Sequence, residues 1–101
     1  MGCNRLELSG EIVSLETLRH TPAGIPVLTF VIRHASIQNE AGMKRQAECE
    51  VPAMAMADLA KKAERLKTGD LVRVVGFLAK RSLKSGRLVL HLNEFETEQI
   101  I

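Results

Sequence analysis

Apolar and polar residues alternate along most of this chain, and only one stretch has the longer period of a helix. Over residues 6–15 the apolar side chains occupy even positions as far as Ile12 and odd positions from Val13 onward. Alternation with a period of two predicts a strand with one buried face. Because the phase changes close to Gly10, we expect a bulge or a sharp coil in this strand. The chain is therefore predicted to begin with a long, coiled strand.

The second and third strands are predicted from an apolar run and from a renewed alternation. Residues 21–24 read Thr-Pro-Ala-Gly, which is typical of a turn, and residues 27–32 are nearly all apolar, as in a strand covered on both faces. Residues 38–42 are predicted to be a loop. Residues 45–51 alternate again, which predicts a third strand with one solvent-exposed face, ended by Pro52.

One helix and two further strands follow. Apolar residues recur at helical spacing over residues 59–66, and Gly69 is predicted to end this helix. Apolar residues then predict a fourth strand over residues 71–78 and a fifth over residues 88–93, joined by a loop at residues 80–86.

The predicted order is β-β-β-α-β-β. Five strands with one helix between the third and the fourth is the order of the oligonucleotide-binding barrel, or OB-fold. The fold class is therefore mainly β, and the length fits a single OB-fold domain over residues 1–101.

The residue types that catalyse reactions or bind metals are scattered. The three histidines lack metal-ligand spacing, neither Cys3 nor Cys49 has a second cysteine nearby, and no glycine-rich phosphate loop occurs. Cys49 alternates with apolar neighbours, which predicts a buried structural thiol. We therefore expect no enzyme, no metal and no cofactor.

Several cellular locations are disfavoured by the same sequence. No run of about 18 apolar residues is present to span a membrane, and the first residues lack the apolar core of a signal peptide. Two cysteines are too few for a disulfide framework. These features predict a cytoplasmic protein without a membrane partner.

The charges are unevenly distributed although the net charge is only +2. Residues 19–93 hold thirteen basic and six acidic residues, whereas both ends of the chain are acidic. The strongest local feature is the segment 79–87, which contains no acid and four basic residues: Lys80, Arg81, Lys84 and Arg87. In an OB-fold this loop flanks the nucleic-acid face, so the four are predicted to contact phosphates. A solvated hairpin tip is the alternative.

A second basic group is predicted to border the same face. Arg33 closes the second strand, Lys44 and Arg45 open the third, and Arg19 lies near the first loop. Because side chains alternate along a strand, at most one of Lys44 and Arg45 can point at a given ligand. For Arg19 an ordinary surface position is an equal alternative.

Aromatic side chains, on which single-strand binders stack bases, are scarce. The chain has no Trp and no Tyr, and its three phenylalanines are each predicted to pack in the core: Phe30, Phe77 and Phe95. Met54 and Met56 are predicted to line the contact between helix and barrel. Any affinity for nucleic acid would then come mainly from charge.

Short stretches in order along nearly the whole chain resemble a known family. They are Ser9-Gly10, Gly24-Ile25-Pro26, Phe30-Val31, Glu40-Ala41-Gly42, Arg45-Gln46-Ala47, Gly76-Phe77 and Val89-Leu90-His91. Together they resemble the primosomal replication protein N (PriB) family, relatives of the bacterial single-stranded-DNA-binding proteins. The resemblance implies an OB-fold homodimer that binds single-stranded DNA. It also implies help for the PriA helicase and other primosome proteins in restarting stalled replication forks.

The resemblance also implies roles for particular residues. The family's basic residue in the first loop matches Arg19, and the basic residue before Gln-Ala matches Arg45. The best-known member has aromatics where this chain has Met43 and Glu48, which implies weaker base stacking here. The basic loop of the family matches Lys80, Arg81, Lys84 and Arg87.

The sequence thus favours a non-enzymatic bacterial protein that binds single-stranded DNA and a replication-restart helicase. Two alternatives remain. One is a protein-interaction adaptor in which the same charges meet an acidic protein surface. The other is an RNA-binding OB-fold module.

Overall fold

Six strands and one short helix make up residues 2–98, the part of the chain that the computed structural model describes. The helix α1 (Asp58–Ala63) lies between the fourth and fifth of these strands. The strands are β1 (Leu6–Leu15), β2 (Arg19–His20), β3 (Pro26–Glu40), β4 (Met43–Met56), β5 (Leu71–Lys80) and β6 (Leu88–Glu98). Within this part of the chain no helix is long and apolar enough to cross a membrane.

Five of the strands close into a ring. They follow the order β1-β5-β6-β4-β3, and β3 pairs again with β1. The contact between β4 and β6 is parallel and consists of two residue pairs, Ala53 with Leu90 and Met54 with His91. This is the predicted OB-fold order, with α1 between the third and fourth strands of the ring. β2 was not predicted, and it adds two residues to the edge of β3.

β1 pairs with its two neighbours in the ring through successive parts of its length. Residues 6–11 pair with β5 and residues 11–15 pair with β3. The register shifts between Ile12 and Ser14, so both Ile12 and Leu15 reach the core. The predicted irregularity is therefore present, but it lies after Ile12. Gly10 has a different role, because a side chain there would overlap the backbone carbonyl of Arg33 on β3.

The interior of the ring is filled by aliphatic side chains and one aromatic ring. The buried cluster includes Ile12, Leu28, Phe30, Ile32, Val72, Val74, Leu90 and Leu92. The helix α1 packs on this cluster through Ala60 and Ala63, which are both fully buried. It ends at Ala63, earlier than predicted, although Leu66 beyond it is still buried. Gly69 does not end the helix, and its positive φ of 99° instead serves the turn into β5.

β3 and β4 are longer than predicted and extend beyond the barrel as a hairpin. They pair in one unbroken register from Val27–Met56 to Glu40–Met43. The predicted loop at residues 38–42 is reduced to Ala41 and Gly42, whose φ values of 52° and 80° fit a tight type I′ turn. Pro52 does not end the strand. It pairs with Val31 just before the short stretch that joins β6, where the outer edge of β4 is unpaired and tolerates proline.

The length of this hairpin makes the prediction for Cys49 wrong. Cys49 is exposed and lies opposite His34. The alternation around Cys49 is real, but this part of the hairpin lies outside the ring. Because no element within residues 2–98 packs as a second layer on this part of the hairpin, an apolar pattern there does not produce burial.

The backbone of β6 lies so close to Gly76 that substitution of this glycine tests the packing of the ring. Gly76 pairs with Leu6, and an added Cβ would overlap the backbone carbonyl of His91. We expect Gly76→Ala to lower Tm by about 10 °C, since overpacking costs roughly 1–3 kcal/mol and each kcal/mol shifts the Tm of a domain of this size by about 4–8 °C. Gly86→Ala is the matched control, because open space surrounds Gly86. Equal melting temperatures for both variants, measured by circular dichroism, would contradict this close approach.

Candidate nucleic-acid interface

A groove of about 460 Å³ lies on the outer face of β3 and β4, beside the end of β1. Two exposed arginines border it, Arg19 from β2 and Arg81 from the segment after β5. They are 62 positions apart in the sequence, and the ring brings them to one cavity. The floor of the groove consists of small and apolar side chains: Thr29, Val31, Pro52 and Met54.

One carboxylate lines this groove. Glu16 accepts a hydrogen bond from the Thr29 hydroxyl, and its own backbone N–H donates to the Thr29 carbonyl at 3.0 Å. These two bonds hold Glu16 against the strand. The groove therefore presents two positive charges at its border and one negative charge on its wall.

The basic loop, residues 81–87, leaves the barrel next to this groove. Its ends are held together because the Arg81 N–H donates to the Arg87 carbonyl at 2.9 Å. A second bond within the loop runs from the Ser85 N–H to the Ser82 carbonyl at 3.2 Å. The four predicted cations at and beside this loop are all exposed: Lys80, Arg81, Lys84 and Arg87. Within residues 2–98 none of the four forms an ion pair, so their charges are available to an anionic ligand.

The register of the hairpin separates Lys44 from Arg45. Paired residues share a face of a sheet, so the face that bears Thr29 in the groove continues through Arg33 to Lys44. Arg45 lies on the opposite face, opposite Gln38. Of these two neighbouring residues, Lys44 is therefore the one that lies on the same face as the groove.

Acidic neighbours reduce the positive charge of the hairpin. Arg33 contacts Glu50 at 3.3 Å, and Arg45 contacts Glu40 at 3.3 Å. All four side chains are more than half exposed, so each ion pair contributes at most about 1 kcal/mol and can be exchanged for a phosphate. Glu48 lies on the same face as Arg33 and Lys44 and adds another negative charge.

Phe77 is on the surface, so its predicted place in the core is wrong. Its side chain is 38% exposed and stacks on His91, with ring centroids 5.1 Å apart and planes 6° from parallel. The alternation of side chains along β5 could have predicted this position. Phe77 is four positions after the exposed Arg73, an even number, so both side chains point to the same face of the strand. The other two predictions hold, since Phe30 is 2% exposed and Phe95 packs against the core.

The two methionines near the groove differ from expectation as well. Met54 lines the groove, and Met56 is 40% exposed. Both border a second cavity, of about 310 Å³, together with Leu59 from the helix. The methionines therefore lie beside the helix, but they line the groove and an open cavity instead of a closed contact between helix and barrel.

The opposite end of β5 is acidic. Arg73 bridges two carboxylates there, Glu7 at 3.1 Å and Glu96 at 3.5 Å. The hydrogen bond that Arg73 donates to Glu7 and the nearby negative charges raise the pKa of Arg73 above its ordinary value. Glu94 lines a surface cavity together with Glu7, Arg73 and Glu96. Along β5, the end that carries the basic loop thus has cations without acids, whereas Arg73 near the other end is enclosed by carboxylates. Three further cations lie close to that end: Lys62, Arg65 and Lys67.

Residues that could hold a metal ion do not converge. In residues 2–98 no group of three or more His, Cys, Asp or Glu side chains has a suitable arrangement. The strongest feature of the surface therefore remains the groove with its two arginines and the adjoining basic loop.

Comparisons with known proteins agree with this geometry. The model of a family described as "another single-strand binding protein family" matches residues 4–94. The replication restart protein PriB of Nitrosomonas europaea is 41% identical over 91 residues, which are 90% of this chain and 84% of that protein. A solved structure of PriB from Ralstonia solanacearum superposes with a TM-score of 0.87 at 33% identity, covering 97% of this chain and all of that one.

A more distant structure shares the fold. The single-stranded DNA binding protein from Thermus aquaticus superposes with a TM-score of 0.80 at 20% identity. The match covers 97% of this chain and 51% of that one.

Proposed function

We propose that this chain, which belongs to a single-strand binding protein family and to the PriB family of replication restart proteins, binds single-stranded DNA. In this proposal it is a non-enzymatic accessory protein. The observation that carries the proposal is the meeting of Arg19 and Arg81 at one groove, beside a loop whose cations are unpaired within the described residues. Phosphates neutralise such cations and release bound counterions, which drives binding without sequence specificity.

The proposed path of the DNA follows the free charges. Phosphates contact Lys80, Lys84 and Arg87 at the loop, and the strand then passes between Arg81 and Arg19. Beyond the groove it reaches Arg33 and Lys44 on the same face of the hairpin. Arg45 acts from the opposite face, where a flexible strand can still reach it around the narrow hairpin.

The floor of the groove accounts for a preference for single strands. Val31, Pro52 and Met54 offer apolar contact to bases whose faces and edges are free. In a duplex the bases are stacked and paired, so these side chains gain nothing from them. A duplex would therefore be held by charge alone.

We propose that the DNA-bound protein assists the PriA helicase and other primosome proteins at stalled forks in the bacterial cytoplasm. Support comes from the relatives, which are named for replication restart. The acidic end of the barrel lies at the far end of β5 from the basic loop, so it stays free while DNA occupies the basic end.

We also propose a homodimer, formed along β1. Residues 6–10 pair with β5 on one side, whereas β3 pairs with β1 only from Glu11 onward. The His34 imidazole bonds the Ser9 carbonyl at 2.7 Å, and no strand within residues 2–98 pairs with the rest of this edge. An open edge of this kind accepts a strand from a second copy.

Two other functions fit part of the same surface. An adaptor protein would use the basic loop to meet an acidic protein, and an RNA-binding module would hold RNA in the groove. Binding experiments with defined nucleic acids separate both from the proposed function.

Binding should depend strongly on the salt concentration. We expect the chain to bind labelled single-stranded DNA more tightly than duplex DNA or RNA. The log of the affinity should fall by about 4–6 per tenfold rise in salt, since the proposed path neutralises about six to eight phosphates. Fluorescence polarisation over a salt series measures this slope. Absence of DNA binding at low salt would favour the adaptor, and stronger binding of RNA would favour the RNA-binding module.

Substitutions in the basic loop test which cations contact the phosphates. We expect the double variant Lys84→Ala, Arg87→Ala to weaken binding about tenfold and to reduce the salt slope by about 1.4, because two phosphate contacts are lost. Stimulation of PriA unwinding should fall in parallel. The matched control is Lys61→Ala, Lys62→Ala on α1, which removes the same charge away from the groove. Equal losses in both double variants would indicate only a general effect of net charge.

The oligomeric state tests the proposed homodimer. At micromolar concentration the chain should sediment with twice its mass of 11.2 kDa. Amide hydrogen exchange should then protect successive residues over 6–10, since an antiparallel neighbour on each side bonds alternate amides. A monomer by sedimentation, or protection of only every second amide, would reject the edge contact.

A further inference from the structure

The stacked rings of Phe77 and His91 are a surface feature that the proposed path does not use. In a chain with three aromatic residues, one of them is placed outside the barrel and held parallel to an imidazole. Exposure of 38% leaves much of the Phe77 side chain open to solvent. Because exposing an aromatic ring forgoes its burial in the core, a ligand that covers it would gain that apolar contact.

The rings belong to a row that crosses four chain segments. Met54 on β4 pairs with His91 on β6, and His91 pairs with Phe77 on β5. The row continues to Arg5, because Leu6 pairs with Gly76 while the Asn4 side chain bonds the backbone of Leu78. Three strand spacings make this row about 14 Å long.

One end of the row is the floor of the groove. Met54 lines both the groove and the second cavity, in which Phe77 and His91 also take part. A ligand lying in the groove therefore passes directly onto the two rings. The other end of the row carries Arg5, which forms no ion pair within residues 2–98 and can neutralise a phosphate.

The second cavity supplies the remaining contacts of a base. Met56 and Leu59 give it apolar walls, and the Asn93 amide offers both a donor and an acceptor. An apolar wall, a flat ring and an amide fit a nucleobase. A purely apolar partner would leave the amide and the neighbouring imidazole without hydrogen bonds.

We propose that Phe77 and His91 form a base-stacking subsite that takes a nucleobase of the same single strand after it has left the groove. The inference rests on the proposed function, because it requires single-stranded DNA in the groove. It adds a stacking contribution on β5 and β6, away from the hairpin positions where this chain has Met43 and Glu48.

The absence of tryptophan from the chain allows a direct test. Phe77→Trp introduces a single tryptophan whose emission should be quenched when oligothymidine binds. An abasic deoxyribose-phosphate oligomer of equal length should bind by charge without quenching. Phe95→Trp is the matched control, since Phe95 packs against the core beside Lys62 and its tryptophan should not respond.

A second variant measures how much the ring face of Phe77 contributes to the affinity for DNA. Phe77→Leu retains apolar contact with His91 and removes the ring face, so we expect oligothymidine affinity to fall about 5- to 150-fold, as for the loss of one stacked base. The salt slope should stay unchanged because no charge is removed. An unchanged affinity of Phe77→Leu would overturn the subsite, even if Phe77→Trp fails to fold.

The remaining outcomes separate the subsite from the proposed function. Tight DNA binding without quenching of the Phe77→Trp emission overturns the subsite and leaves the function intact. No DNA binding by the unaltered chain overturns both. A blue shift of the Phe77→Trp emission that grows with protein concentration and without DNA assigns the rings to a contact between copies, which also overturns the subsite.

Discussion

The ring depends on β1 pairing with two strands at once. β5 takes its first half and β3 its second half, and the strand changes partner over Glu11. Two glycines make the approach possible, because Gly10 lies against the backbone of β3 and Gly76 lies against that of β6. The slip after Ile12 then returns Leu15 to the core. Since the ring closes in this way, the start of β2 and the end of β5 meet, and Arg19 and Arg81 come to share a groove.

In the hairpin, which extends beyond the barrel, the pairing register of β3 and β4 determines which charged residues share a face. Beyond the ring both faces of β3 and β4 are wet, so each face carries its own set of polar groups. On the groove side Arg33 and Lys44 are accompanied by Glu48 and Glu50, which leaves the face without net charge. In the proposed path the hairpin therefore adds contacts to a bound strand, but little long-range attraction.

Local patterns in the sequence were sufficient for the order of the five ring strands and the helix, and for the basic loop, but not for β2. Strand periods, the position of α1 and an acid-free run of cations are properties of neighbouring residues, and they can be read without knowing the partners. Burial is different, because it depends on which layer covers a face. Cys49 has the pattern of a buried residue on a part of β4 that nothing covers. Phe77 has an apolar side chain typical of the core, but it lies on the outward face of β5, the same face as the exposed Arg73.

The placement of charges and rings together suggests how affinity is divided over the surface. The basic loop provides cations without acids, so it dominates attraction at a distance. The groove adds two arginines over an apolar floor, and its single glutamate is held against β3 by Thr29. The exposed rings lie just past Met54, on the side of the groove that leads away from the acid-bearing hairpin. In the proposed arrangement the rings on β6 and β5 therefore add stacking to the contacts that the hairpin makes, where the three cations are offset by three carboxylates.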